Sequence, residues 1–399
     1  MQAITPQPLA AADAARLERA LALATEAAGF AAPNPAVGCV LTTADRCVLG
    51  EGAHRYAERD HAEIVALKQA ATRGEAVRGA VHGATAYVTL EPCSHTGRTG
   101  PCADALIAAG IARVVIATLD ANPVVRGNGV AKLRQAGVDV CLAAGEIAES
   151  ARRLNDGFAM SITQQRPFVT LKAALSVDGR LAPPTHARSE RAPVWLTGSA
   201  ARTDVQQLRN AHTAILTGIG TVLADDPMLT DRTGLPRNPL LRVVLDSTLQ
   251  LPFTSNLVQS AQADLLVIAA EDASTEREAA LRAAGADVVR VARQDGTLDL
   301  RAVVAVLHAR GCISVLLEAG SALNGAFLRA GLVDRVVLYY SERELGVDAL
   351  PFAKGLSSPY ALELDLQRVE RVAFESDITP GTQDVRVSGY LHDPWQGVR

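Results

Sequence analysis

His61-Ala62-Glu63 and the stretch Glu91-Pro92-Cys93-Ser94-His95-Thr96-Gly97-Arg98-Thr99-Gly100-Pro101-Cys102 bring together the side chains best suited to metal chemistry. They supply an imidazole (His61), two thiols (Cys93 and Cys102) and a carboxylate (Glu63). Three such N and S ligands with an open fourth position are what a catalytic zinc needs. Zinc lowers the pKa of its water to about 7. Glu63 beside that water is placed to take its proton and hand it to a departing amine. Taken singly, these residues also read as a surface histidine and two buried thiols. A structural zinc would call for a fourth protein ligand.

Residues i and i+2 of a regular helix do not share a face, so His61 and Glu63 can serve one centre only from a helix's first turn. Asp60 as N-cap is expected to put them there. Cys93 follows an expected strand, Ala84–Leu90, and Cys102 opens an expected helix closed by Gly110. Both thiols then sit at strand-to-helix junctions, where the helix dipole favours thiolate. Upstream, the spacing predicts a helix over 12–29 capped by Asp13, a break at Pro33-Asn34-Pro35, and a hairpin of Val37–Leu41 with Cys47–Gly50. Downstream come strands Arg113–Leu119 and Val138–Leu142, a helix over 130–136 and a connecting helix over 146–161. The alternation indicates an α/β layered domain with a largely parallel sheet.

The 399 residues predict two or three domains at about 150 residues each. With 48% apolar and 21% charged residues and a net charge of −4, nothing favours nucleic acid or an anionic membrane as partner. No apolar run reaches the roughly 18 residues of a membrane-spanning helix, and no signal pattern opens the chain. Six cysteines at irregular spacing do not make a disulfide framework. Cys39, Cys47, Cys141 and Cys312 read as buried small hydrophobes. A cytoplasmic protein is expected.

H-x-E followed by P-C-x-x-C marks zinc deaminases acting on cytosine or adenine rings. Here eight residues separate the two cysteines. Gly38-Cys39 after Pro33-Asn34-Pro35, Gly52-Ala53-His54, His61-Ala62-Glu63 and the long cysteine segment resemble the deaminase half of the bacterial bifunctional riboflavin-biosynthesis family, which has that long spacing. Gly100 stands where the family usually has a proline, and Asp120-Ala121-Asn122-Pro123 resembles the family's D-P-N-P turn. The resemblance implies a cytidine-deaminase-like α/β/α fold, with Asn34, His54, Ser94 and His95 contacting a pyrimidine and its ribose phosphate. Asn34 as a turn residue and His54 as a surface histidine are the plainer alternatives.

After Gln164-Gln165-Arg166-Pro167 the alternation restarts, with strands expected at Phe168–Leu175, Ala214–Thr217, Arg242–Asp246, Asp264–Ala269, Asp287–Val291, Ser314–Glu318 and Arg335–Tyr340. The divisions are 1–150, a connecting segment 151–166, and 167–399. No G-x-G-x-x-G is present, so a Rossmann domain is not supported. Gly-rich turns after strands can still bring helix N-termini to phosphates, and Arg209 and Arg232 could clamp one. Both arginines also read as solvated charges, and Asp225-Asp226-Pro227 as turn chemistry.

Leu171-Lys172, Ser176-Val177-Asp178-Gly179-Arg180, Trp195-Leu196-Thr197-Gly198, the run Gly218 to Arg232 and Glu318 to Asn324 resemble the reductase half of the same family. That resemblance implies a dihydrofolate-reductase-like α/β fold binding NADPH. Ala174, Trp195, Thr221, Asp225, Ser247, Gly320, Ser321 and Asn324 would contact NADPH. Arg209, Leu229, Arg232 and Glu318 would contact substrate, with Lys172 and Asp225 near the ribose being reduced. Pro193 stands where the family usually has a substrate-binding serine, for which Ser189 is the candidate substitute. The implied enzyme uses Zn2+ and NADPH on a phosphorylated pyrimidine, and a homo-oligomer is expected. A tRNA adenosine deaminase is disfavoured by the charge balance and the cysteine spacing. A catalytically dead binding module is disfavoured by the intact zinc set.

Overall fold

Residues that alternate in side-chain direction along short strands build a first sheet with two buried faces. In the computed structural model, which describes residues 4–95, 100–184, 194–356 and 358–398, the chain divides into two compact units. The first comprises Met1–Gln165 with Pro394–Arg399, and the second Arg166–Asp393. Thr96 to Thr99 of the cysteine segment, and the stretch of Ser189 and Pro193, lie outside the described residues.

In the first unit, α1 (Ala11–Ala31), β1 (Gly38–Thr42) and β2 (Val48–Ala53) precede α2 (Ala62–Thr72), α3 (Glu75–Ala80) and β3 (Thr85–Val88). Then come α4 (Cys102–Ala108), β4 (Arg113–Ile116), α5 (Asn128–Gln135), β5 (Asp139–Leu142), α6 (Glu146–Leu154) and α7 (Asp156–Gln164). The sheet order is β2-β1-β3-β4-β5. Both pairs involving β1 are antiparallel, and only β3–β4 and β4–β5 are parallel, so the sheet is mixed rather than largely parallel. Cys39, Leu41, Ala86, Val88, Val114 and Ile116 pack on one face with α2, α4 and α5, while Val40, Tyr87, Val115 and Cys141 pack on the other with α1 and α6. That division is the period-2 alternation of a strand.

Three local readings need correction. Asp13 is not a cap: Ala10 holds that position, and Asp13 is buried in the first turn, accepting from the Tyr87 hydroxyl and Arg113. The connecting helix is two helices, broken at Asn155, whose φ of −113° leaves the helical region and whose side chain bonds both Ala36 and Ala151. Cys47 is exposed, whereas Cys39, Cys141 and Cys312 are buried.

The second unit carries a nine-stranded sheet. Its strands run Asp287–Val291, Leu265–Ala270, Leu241–Leu245, Ala214–Gly218, Ser314–Leu317, Phe168–Ser176, Arg335–Ser341, Gln383–Tyr390 and Gln367–Glu375. The first seven are parallel and the last two antiparallel. Buried clusters line both faces, as two-sided parallel sheets require. The strand order reverses around Phe168–Ser176 and Ser314–Leu317, and ligands of open α/β sheets bind beyond strand ends at such a point.

His212 is buried in this unit, bonded to the Leu208 carbonyl and to Thr170. Burial pushes its pKa down from 6.5 to about 4. The unfolded chain therefore takes up a proton below pH 6.5 that the folded chain refuses, so His212 weakens the fold as pH falls from 6.5 towards 4. The loss is on the order of 3 kcal/mol in all, at about 1.4 kcal/mol per unit. Urea unfolding of wild type and His212→Asn across that window should show the flatter profile in the variant.

Candidate functional site

Because α2 starts at Ala62, His61 itself is the N-cap residue, in extended conformation, and Glu63 is the second residue of the helix. Asp60 is thus one position too early to cap. Its carboxylate pairs with Lys68 and its carbonyl accepts from His54 Nδ1. Helix α2 can lie this close to β2 because position 52 is glycine: a Cβ there would sit 2.3 Å from the Ala62 carbonyl oxygen. Gly52→Ala is expected to cost about 1–3 kcal/mol by overpacking and to push His61 and Glu63 out of place. Thermal unfolding and zinc affinity, measured together, check this; unchanged zinc affinity would separate the packing from the site.

The three ligand atoms of His61, Cys93 and Cys102 all lie within 4.8 Å of one another. His61 Nδ1 is 3.2 Å from Cys102 Sγ and 3.6 Å from Cys93 Sγ. The Cys102 backbone N–H, at the first residue of α4, donates to Cys93 Sγ at 3.3 Å. The Cys102 thiol, His61 and this N–H hold the Cys93 thiol well below its ordinary value despite burial. Burial, with the Cys93 charge nearby, pushes Glu63 up to about 7. Two thiols and one imidazole, one thiol already biased to thiolate, fit a zinc ion.

Glu91, buried at the end of the strand before Cys93, had no assigned role in the sequence. Its carboxylate accepts backbone N–H groups from Asp120, Gly127 and Val130, tying the cysteine segment to the turn at 120–127 and the start of α5. Burial raises its pKa, and those N–H groups oppose the rise. A lone carboxylate between the expected strand Ala84–Leu90 and Pro92 was the signal available for it.

Asn34 and His54 meet: Asn34 Nδ2 is 3.0 Å from His54 Nε2. With Nδ1–H donating to the Asp60 carbonyl, Nε2 is the acceptor, so the ring is the neutral tautomer. His54 is buried, not at the surface, and its ring stands edge-on to His61 at 5.3 Å. Ser94 is half-buried and His95 exposed.

In the second unit, Lys172, Arg209 and Glu318 form one buried ionic cluster. Arg209 Nε and Nη2 donate to the two Glu318 oxygens at 2.8 and 3.0 Å, and Lys172 Nζ lies 3.8 Å from Glu318. Arg209 Nη1 also donates to the Thr230 carbonyl. Burial alone would raise the Glu318 carboxyl, but Arg209 and Lys172 outweigh it and hold it at about 2. Burial lowers the Lys172 ammonium, and Glu318 opposes that. Arg209 and Glu318, both assigned to substrate, are thus bonded first to each other. Leu229 has its side chain in the core and a left-handed φ of 52°. Arg232 and Asp225 are exposed.

The turns expected to hold a dinucleotide adjoin. Gly218 ends one strand and Gly320 follows its parallel neighbour by three residues, each being the N-cap of a helix, Ile219–Asp225 and Ser321–Arg329. A Cβ on Gly320 would lie 3.8 Å from Thr221 Oγ1, so the Thr221 hydroxyl sits against the Gly320 turn. Ser321 Oγ and Asn324 Oδ1 are buried polar atoms with no hydrogen-bond partner, while Asn324 Nδ2 donates to the Phe352 carbonyl. Paired helix N-termini, small residues and unspent polar atoms suit cofactor phosphates and hydroxyls. Ala174 and Ser247 are half-buried; Trp195 is 51% exposed with the Arg202 guanidinium over its ring.

Comparison with known proteins matches this arrangement in both units. Residues 11–118 match the cytidine and deoxycytidylate deaminase zinc-binding region, and residues 167–378 the RibD C-terminal domain. The riboflavin biosynthesis protein RibD of Escherichia coli K12 is 40% identical over 345 residues, covering 84% of this chain and 88% of that protein. That of Aquifex aeolicus is 37% identical over 330 residues, covering 83% and 87%. Among solved structures, Acinetobacter baumannii RibD superposes with a TM-score of 0.76 at 34% identity, covering 95% of this chain and 98% of that one. A diaminohydroxyphosphoribosylaminopyrimidine deaminase/5-amino-6-(5-phosphoribosylamino)uracil reductase from Thermotoga maritima gives 0.76 at 33%, covering 95% and 99%. With its deaminase-type metal cluster in one unit and its reductase-type sheet in the other, the chain belongs to the RibD family of bifunctional riboflavin biosynthesis enzymes.

Proposed function

We propose that the first unit hydrolyses the ring amine of 2,5-diamino-6-(5-phosphoribosylamino)pyrimidin-4-one, and that the second reduces the ribosyl group of the resulting 5-amino-6-(5-phosphoribosylamino)uracil to ribityl. The family assigns a zinc-dependent deaminase and an NADPH-dependent reductase to the chain; the substrates and residue roles are this reading's own. The observation that carries it is the convergence of His61, Cys93 and Cys102 beside a buried carboxylate.

His61, Cys93 and Cys102 would hold a zinc ion, which when bound would supply water activation. Glu63 would relay one water proton to the leaving nitrogen while the other ends on the ring nitrogen, so that N=C–NH2 and water become HN–C=O and ammonia. Asn34, His54, Ser94 and His95 bind the pyrimidine and its ribose phosphate. In the second unit NADPH supplies a hydride. Ala174, Trp195, Thr221, Asp225, Ser247, Gly320, Ser321 and Asn324 bind and orient the cofactor. Lys172 and Asp225 face the ribose; Arg209, Leu229, Arg232 and Glu318 shape the substrate's seat, with Glu318 keeping Arg209 and Lys172 in place. Residence in the cytoplasm and assembly as a homo-oligomer belong to the same reading; among the described residues no helix is long and apolar enough to cross a membrane.

The test is to incubate zinc-loaded protein with the diaminopyrimidinone ribosyl phosphate, with and without NADPH, and follow products by mass spectrometry. An amine-to-oxo change without NADPH and two further hydrogens with it are expected. Deamination that stops there with NADPH present would overturn the second half, and no deamination would overturn the first.

A further inference from the structure

The chain leaves the first unit after Gln165, builds the second, and rejoins the first at Pro394. The rejoining segment lies beyond the residues matched by either family model. Its Trp395 is fully buried. The indole N–H donates to Asp156 Oδ1 at 2.9 Å, and Asp156 is itself buried. Two residues on, the Gly397 carbonyl accepts from Arg126 Nη1 at 2.8 Å.

Each anchor leads to a loop of the deaminase site. Next to Asp156, Asn155 clamps the backbone of Ala36: its Oδ1 accepts the Ala36 N–H at 2.8 Å and its Nδ2 donates to the Ala36 carbonyl at 3.0 Å. This pair of bonds fixes the turn that carries Asn34 to His54. Arg126, for its part, donates to the carbonyls of Asp120 and Ala121. That turn is bonded through the Asp120 N–H to Glu91, two residues before Cys93. The segment thus holds Asp156, the neighbour of the residue that fixes the pyrimidine loop, and Arg126, which braces the turn behind the zinc ligand.

We infer that Trp395 and the Gly397 carbonyl are positioning elements of the deaminase site, acting through Asp156–Asn155 on the Asn34 loop and through Arg126 on the Asp120–Asn122 turn. The inference rests on the deaminase reading for its functional consequence, though not for its mechanical one. Loops held by a few hydrogen bonds lose near-attack geometry when a support goes, and the loss shows in the Michaelis constant when the affected residues bind rather than react.

The experiment compares full-length, zinc-loaded wild type with Trp395→Ala, Trp395→Phe and Arg126→Gln. Hydrogen–deuterium exchange is read at peptides covering 33–37 and 120–126, and steady-state deamination and NADPH-dependent reduction are measured alongside. Trp395→Ala should speed exchange at 33–37 and raise the deamination KM about tenfold, with zinc content and reduction unchanged. Trp395→Phe, which keeps bulk but not the N–H donor, should fall between. Arg126→Gln, which leaves the indole in place and so covers the case of a misfolded Trp395→Ala, should speed exchange at 120–126 alone. Exchange at both loops unchanged in folded variants would overturn the inference. So would exchange rising evenly over the whole unit with both activities falling together, because Trp395 would then be only a packing residue. If wild type deaminates nothing but the two loops still loosen selectively, the positioning stands and the substrate reading fails.

Discussion

Glu63→Gln should lower deamination by about 10²–10⁴-fold, the range expected for a lost general acid–base, with zinc still bound. The substitution keeps the shape of a side chain that is 3% exposed at the start of α2 and removes its capacity to carry a proton. His61, Cys93 and Cys102 are untouched, so zinc content by atomic absorption should match wild type. The KM should move little, since Asn34 and His54 do the recognising in this scheme, and the loss should fall on kcat. Reduction of separately supplied deaminated substrate should be unaffected. Turnover within a fewfold of wild type would remove Glu63 from the mechanism. Loss of zinc along with activity would make it a structural prop of the metal site.

Glu318→Ala is expected to do more damage than its one exchanged carboxylate suggests. It removes the carboxylate that lies between Arg209 and Lys172, since Arg209 bonds both Glu318 oxygens and Lys172 pairs with Oε2. Removing one member of a buried ion pair typically costs about 3–5 kcal/mol. Denaturant unfolding should show a loss of that order, and NADPH-dependent reduction should fall to background while deamination persists. The double variant Glu318→Leu/Arg209→Leu separates stability from function. Apolar replacement of the pair should restore part of the stability, Lys172 still lacking Glu318 as its partner, without restoring reduction. Recovery of both would mean that the pair serves only to hold the fold.

The zinc cluster was legible in the sequence because its chemistry sits in two short motifs at strand-to-helix junctions, where residue type and neighbouring turn signals carry the information together. What the motifs could not give was the pairing of distant residues. Arg209 and Glu318 lie 109 positions apart, and Asn155 and Ala36 119 apart, so neither bond has a local signature. The displaced caps have a simpler cause. An aspartate before a helix scores well as a cap whether or not its backbone is in the right place, so Asp60 is preferred over His61, which occupies the position for the sake of its imidazole. The strands Gln367–Glu375 and Gln383–Tyr390 escaped notice because the former is solvent-exposed along most of its length and shows no apolar alternation.

The path of the chain, out of the first unit after Gln165 and back at Pro394, also has a consequence for synthesis on the ribosome. Domains generally fold as units in the order they emerge. Here the unit that starts first must wait for the entire second unit to be translated before Trp395 reaches Asp156. The deaminase begins folding first and is completed last.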